Sequence, residues 1–294
     1  MPIGVLLMAY GTPATPDDVE AYYTHVRRGR PPTEEQLADL RRRYEAIGGT
    51  SPLLERTQEQ AAGLQAALGT GYRVQLGMKH APPFVEDGVA ALVAAGITSI
   101  VGLVLAPHYS ALSVGEYAKR AEATAAEAGA TLTMVRSWHL APGYLDLLSR
   151  FVGDEVARLG VDPIEVVFTA HSLPTRILDM GDPYPDQLAE TAKAVAGRAG
   201  IDRWSVGWQS AGRTPEPWIG PDLLAILPAL VEGGAAGVVV CAAGFVSDHL
   251  EVLYDLDVEA RAAAAGLALA FTRTRSLNAH PEFCAALADI VRDA

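Results

Sequence analysis

The sequence predicts an α/β fold of two similar doubly wound domains, each a four-stranded parallel sheet flanked by helices. Three observations carry that expectation. Eight short apolar or β-branched runs alternate with longer Ala-, Leu- and Glu-rich helical stretches along the 294 residues, as in parallel strands joined by crossover helices. Runs such as GVLLMA, IEVVFTA and GVVVCAA are apolar without alternation, which suits strands covered on both faces. The eight also divide into two fours of similar spacing. Each four is followed by a related segment, SWHLAPGYLDLLSRFVGDEVARL from Ser137 and SLNAHPEFCAALADIVRDA from Ser276. In both, a polar turn and a proline precede an aromatic residue and an amphipathic helix. The pattern reads as a diverged internal duplication.

In chain order the strands are expected at 3–9, 72–78, 99–105 and 131–135, then at 164–170, 204–208, 237–243 and 266–271. The corresponding units are an N-terminal α/β domain over 1–138, a C-terminal α/β domain over 139–275, and a last helix over 276–294 that packs back on the first domain. Half of the residues are hydrophobic, enough to bury one large or two medium cores. The longest apolar runs are near strand length, and the first strand begins without a basic leader. A soluble, untargeted chain without integral membrane association is expected. Cys241 and Cys284 lack the paired spacing of a zinc site or disulfide framework, so a reducing cytoplasm fits best.

The net charge of −12 argues against nucleic acid as a partner, because tracking a phosphate backbone needs clustered cations. The cations are nevertheless uneven: HVRRGR (25–30) and RRRY (41–44) place six of the 23 Lys and Arg residues within twenty positions. Solvated helix faces account for this, and so does a local pocket for an anion.

Open α/β sheets bind ligands beyond the carboxyl ends of their strands, so candidate site residues are expected there. The first strand runs into MAYGTP, with Tyr10 and Thr12, and its counterpart in the second half runs into TAHSLP, with His171 and Ser172. The third strands lead to LAPHYS, with His108, and to AAGFVSDHLEVLYD, with His249 and Glu251. His171 stands out because its position, its Ser-Leu-Pro turn and the internal symmetry agree; His25, His139 and His280 read as ordinary hydrogen-bonded histidines. Glu251, Asp255 and Glu259 are spaced by four, which on an α-helix separates neighbours by about 6 Å and about 40°. A solvated face explains this track as well as a path for cations or protons towards Glu251 does. There is no GxGxxG after the first strand, no Walker A loop and no HExxH. The loop GWQSAGRTPEPWIGPD (207–222) offers Trp208 and Trp218 either as packing or as an apolar wall for a flat ligand.

Taken together, LLMAYGTP, YYTHVRRGR, RRYEAIGGTSPL, GMKHAPPF, LAPHYSALSVGEY, TAHSLP, GDPYPDQ, VGWQSAGRTPEPWIGPD and GFVSDHLEVLYDLDVEA resemble the ferrochelatases. The likeness is greatest to the compact, water-soluble bacterial type that acts on coproporphyrin III, and it covers essentially the whole chain in order. The resemblance implies a lyase of heme biosynthesis that inserts Fe²⁺ into a free-base porphyrin, most simply coproporphyrin III to coproheme, with release of two protons. It implies His171 and Glu251 as the catalytic, metal-contacting pair, and Asp255 and Glu259 as an acidic ladder and outer metal site. Tyr10 matches the residue on the opposite face of the macrocycle. Thr12, Arg27, Arg43, Tyr44, Ser51 and Tyr117 match porphyrin contacts, and Lys79 and His80 match a cleft-lining motif.

Departures carry meaning too. Ala242 stands where relatives often have proline, a local backbone change. Two cysteines cannot supply the four ligands of a [2Fe–2S] cluster, so no cofactor beyond the substrate Fe²⁺ is expected. Missing membrane-docking extensions favour a monomer acting on a tetracarboxylate porphyrin. The alternatives are a protoporphyrin IX ferrochelatase, another tetrapyrrole chelatase such as a cobalt-inserting one, and, from a different class, a non-catalytic heme or porphyrin carrier.

Overall fold

A computed structural model describes residues 2–294. Two four-stranded parallel sheets form its frame. The first contains β1 (Ile3–Ala9), β2 (Tyr72–Met78), β3 (Ser99–Val104) and β4 (Thr131–Val135) in the order β2-β1-β3-β4. The second contains β5 (Ile164–His171), β6 (Trp204–Gln209), β7 (Gly237–Cys241) and β8 (Ala270–Arg273) in the order β6-β5-β7-β8. The two orders are the same once each first strand is matched to the other, as a duplication requires. In both sheets the order reverses beside the first strand, so β1 and β5 lead into the switch points where such folds open a crevice.

The continuous apolar strands are buried on both faces as expected: Val5 to Met8 and Val238 to Cys241 are wholly enclosed. Removing each such aliphatic side chain from water contributes roughly 1.5–3 kcal/mol. Helices α1 (Val19–Val26), α2 (Glu34–Ala46) and α3 (Leu53–Leu68) separate β1 from β2, and α4 (Val85–Ala94) and α5 (Val114–Glu127) make the remaining crossovers. A capping box starts α2: Gln36 N–H donates to Thr33 Oγ1 and Thr33 N–H donates to Gln36 Oε1. In the second half the elements are α6 (Pro142–Leu159), α7 (Arg176–Asp179), α8 (Tyr184–Ala199), α9 (Leu223–Glu232), α10 (Leu250–Tyr254), α11 (Arg261–Gly266) and α12 (Pro281–Arg292).

The last helix of each four-strand set lies against the other half. Ser149 on α6 donates to Val195 O of α8, and Asp146 pairs with Arg198 at 3.1 Å. Near the end of α12, Arg292 donates to Ala67 O of α3, and Gly63 leaves room for Cys284, whose sulfur would lie 2.5 Å from an added Cβ. This exchange ties the halves together away from the cleft. No helix among the described residues is long and apolar enough to cross a membrane.

Several strand boundaries depart from the sequence expectation: β3 ends one residue early, at Val104, β6 runs one further, to Gln209, and β8 runs to Arg273. The final strand begins at Ala270 rather than Gly266, because α11 consumes Gly266 and the chain turns through Ala268 at φ 53°. β7 ends at Cys241, two residues early, where Ala243 N–H turns back onto Cys241 O. β5 runs one residue further, to His171, so that histidine is held by the sheet rather than by the following turn.

Candidate active site

A cleft of about 410 Å³ opens between the carboxyl ends of the two sheets, lined among others by Tyr10, Arg43, His171, Glu251, Asp255 and Glu259. β1 delivers Tyr10 through a turn that only glycine permits. Gly11 has φ +91°, and a Cβ there would lie 2.9 Å from Ala81 N. Tyr10 is 44 % exposed, but into the cleft. Its ring packs on His80 at 4.5 Å, and its phenol is pushed up by the enclosing walls and by the charge of Glu251.

β5 delivers His171 from the other half. The imidazole Nδ1 faces the carbonyl of Ser172, and a carbonyl can only accept, so Nδ1 carries the hydrogen and Nε2 faces the cleft. Ser172 is itself fixed, donating through Oγ to Ile219 O at 2.7 Å and through N–H to Gln209 O at 2.8 Å. Tyr184 donates to His171 O at 2.9 Å. The second half thus presents a single nitrogen atom in a fixed direction.

The partner of that nitrogen is Glu251, whose Oε1 lies 3.5 Å from His171 Nε2 while its Oε2 lies 3.6 Å from His249 Nε2. Its helix can come this close because Gly244 rides on β5: Gly244 N–H donates to Thr169 O, and a Cβ there would lie 2.5 Å from Ala170 Cβ. Burial alone lowers a histidine pKa, yet the Glu251 carboxylate outweighs it and raises His171 to about 9. Burial likewise raises Glu251, but His171 and His249 hold it far below the usual carboxylate range. At neutral pH the pair is therefore an imidazolium beside a carboxylate.

Next along the chain, Asp255 is 8 % exposed. It accepts from Ser210 Oγ and meets Arg43 Nη1 at 3.5 Å. Burial, then the charge of Glu251, lifts it to about 6, against the lowering effect of Ser210 and Arg43. The expected acidic track is present, but a continuous α-helix is not what carries it. Residues Asp255–Ala260 form a π-helix between α10 and α11. Its wider i→i+5 turn rotates each residue by less than the α-helical 100°. The drift that an α-helix would accumulate between Glu251 and Asp255 is therefore taken back between Asp255 and Glu259. All three acids face one cleft.

The other sequence-derived residues divide by location. Tyr10 and Arg43 line the cleft with the four acid-base residues, whereas Thr12, Tyr44, Ser51, Lys79 and Tyr117 are buried behind its wall. Thr12 Oγ1 and Tyr44 OH are 3.3 Å apart, and burial pushes the Tyr44 phenol up to about 12. The Lys79 ammonium pairs with Glu116 and lies 5.2 Å from the Tyr117 ring centre. His80 is driven down to about 3 by burial and by the Lys79 charge, and its Nδ1 lies 3.0 Å from His25 Nδ1. Arg27 stacks on Tyr23, a cleft residue, at 5.6 Å. Ser51 Oγ accepts from Leu53 N–H at the start of α3. Trp218 lines the cleft 6.3 Å from His171, while Trp208 is buried against Tyr184. One tryptophan of the loop is a wall and the other is core.

Sequence reading missed Gln209, Ser210, Asp39, Glu116 and Arg213. Gln209 donates from Nε2 to Glu251 O at 3.1 Å, and Asp39 meets Arg213 at 2.9 Å. Their partners lie far away in sequence, so no local spacing marks them. No three His, Cys, Asp or Glu side chains among the described residues gather as a ready metal cage. His171 and Glu251 offer two ligand atoms and open space, which suits a metal in transit better than a resident one.

A family model described as Ferrochelatase matches residues 2–294. A coproporphyrin III ferrochelatase from Anoxybacillus flavithermus is 47 % identical over 98 % of this chain and 95 % of its own length. One from Bacillus subtilis strain 168 is 45 % identical over 98 % of this chain and 96 % of its own. Among solved structures, a sirohydrochlorin chelatase from Bacillus subtilis subspecies spizizenii in complex with cobalt aligns with a TM-score of 0.61 at 13 % identity, covering 100 % of this chain and 95 % of that one. The last similarity speaks for the fold alone.

Proposed function

The chain belongs to the ferrochelatase family, and from that premise we propose that it inserts ferrous iron into coproporphyrin III to give coproheme in heme biosynthesis. The single observation that carries the reading is the pairing of His171 Nε2 with Glu251 Oε1 at 3.5 Å, at the end of β5 and in the first turn of α10, with Tyr10 lining the same cleft from the first half. The near full-length similarity to coproporphyrin III ferrochelatases supports the choice of porphyrin.

Iron is a substrate in this reaction, and the chain's own groups prepare its exchange for protons. The macrocycle lies between Tyr10 and the His171–Glu251 pair. A metal cannot enter while two N–H protons occupy the ring centre, so the ring must be bent and its pyrroles offered to a base. Once His171 has lost its charge, the Glu251 carboxylate is no longer held low by it, and it accepts the two pyrrole protons one after the other at a carboxylate oxygen, passing each on before the next. Asp255, which titrates at about 6, relays protons along the acidic line to half-buried Glu259 and solvent. The His171 Nε2 proton leaves first, to Glu251 3.5 Å away and out along the same line, as the dication arrives, because metal and proton compete for the same lone pair. Four Fe–N bonds form and two pyrrole protons leave.

A monomer is the proposed working unit, since Tyr10, His171 and Glu251 of the same chain already face one cleft. No resident cofactor is needed, and two cysteines cannot hold an iron–sulfur cluster. We place the reaction in the cytoplasm, in keeping with the two buried free thiols, Cys241 and Cys284. An anaerobic insertion assay with Fe²⁺ tests the reading: kcat/KM should be higher with coproporphyrin III than with protoporphyrin IX. Turnover with neither porphyrin would overturn it.

A further inference from the structure

The cleft contains more acid than base. Arg43 and Arg213 are its permanent cations, while Asp39, Asp222, Glu251, Asp255 and Glu259 also line it. An acidic wall repels a substrate rich in carboxylates, so the anionic ends of that substrate must meet the arginines. The two arginines are not equally free. Arg43, 22 % exposed, is held by Asp39 at 3.3 Å, by Asp255 at 3.5 Å and over the Tyr254 ring at 5.0 Å. Arg213 is 55 % exposed, and among the described residues its one partner is Asp39 Oδ2, 2.9 Å away.

That partner is oversubscribed. Asp39 also takes Arg42 Nη2 at 2.6 Å, so one carboxylate faces three guanidiniums and most of the fifteen-odd N–H donors they carry remain unspent. The Arg213–Asp39 pair also crosses the cleft, from the β6–α9 loop to α2. Its loop is braced for the task. Gly212 packs under Trp218, where a Cβ would lie 2.3 Å from the ring, and Trp218 Nε1 donates to Thr214 Oγ1 at 2.9 Å. Thr175 N–H donates to Pro217 O at 2.9 Å.

We propose that Arg213 is a specificity-determining residue that binds a porphyrin carboxylate, exchanging Asp39 for one of the propionates that coproporphyrin III carries where protoporphyrin IX carries vinyl groups. The assignment rests on the function proposed above and extends it to a residue outside the sequence-derived set. Asp39 occupies the place of the propionate and holds the guanidinium fork across the mouth. When substrate enters, the fork turns to the incoming carboxylate, and Asp39 stays neutralised by Arg42 and Arg43. A bidentate fork suits a planar carboxylate, so lysine replaces it only in part.

The test is equilibrium binding of metal-free porphyrins to the whole protein, read by fluorescence quenching. Arg213→Ala should raise the Kd for coproporphyrin III about three- to ten-fold, as loss of a half-exposed charged hydrogen bond does. The Kd for protoporphyrin IX should change by less than about two-fold, and Arg213→Lys should fall between wild type and the alanine variant. An unchanged coproporphyrin III affinity, or an equal loss for both porphyrins, overturns the assignment. Because the readout is binding, a wild-type protein that binds coproporphyrin III without metallating it contradicts the proposed reaction alone.

Discussion

Replacing Glu251 by Gln keeps the shape of the side chain and removes the charge that sets the state of His171. In the wild type the carboxylate 3.5 Å away raises the imidazole to about 9 against burial. A fall to the ordinary 6.5 corresponds to an about 300-fold loss of proton affinity, or about 3.4 kcal/mol. Since 32 % of the His171 side chain reaches solvent, screening reduces the usable part to ~1–2 kcal/mol. His171 should therefore titrate at least about one pH unit lower in Glu251→Gln, as followed by nitrogen-detected NMR of the imidazole. Stability should shift in step. A raised histidine contributes fully below pH 6.5 and loses its contribution as pH rises through about 9; the depressed carboxylate expresses the same pairing, so its contribution is present above 4.5 and goes as His171 loses its charge. Denaturant unfolding should thus show Glu251→Gln destabilised by ~1–2 kcal/mol near pH 6 and almost level with wild type near pH 10. A variant in which His171 still titrates near 9 would refute the pairing.

Two further outcomes follow from the same geometry. Neutralising the acidic line in Asp255→Asn/Glu259→Gln should slow metal insertion more at limiting than at saturating metal, and equal slowing in stopped-flow traces would remove any delivery role. A metal binding His171 must displace its proton, so Co²⁺ affinity measured by calorimetry should climb towards tenfold per pH unit between about pH 6 and 8, with release of about one proton. An affinity flat over that range would contradict a metal-contacting His171.

Much of the frame was visible in the sequence, because parallel strands covered on both faces must be apolar throughout and their runs are short. The expectation slipped at β8, where the run GLALAF is equally apolar in helix, turn and strand. The place of His171 and Glu251 in the cleft was legible for a topological reason: one ends β5 and the other comes soon after β7, the two strands that flank the switch point. The π-helix over Asp255–Ala260 was not, since i→i+5 bonding leaves no hydrophobic period distinct from the α-helical one at this length. Nor was the meeting of Asp39 with Arg213, a cross-cleft pair with no local signature. Ser210 shows the same limit, as its bond to Asp255 depends on the arrival of the π-helix from beyond β7.

The most direct measurement is anaerobic single-turnover metallation of bound coproporphyrin III by His171→Ala and Glu251→Gln. Both variants should hold the porphyrin with a Kd within about three-fold of wild type, while the insertion rate falls by about 100-fold or more, the scale of a lost acid–base group. Insertion at the wild-type rate in either variant would contradict the account.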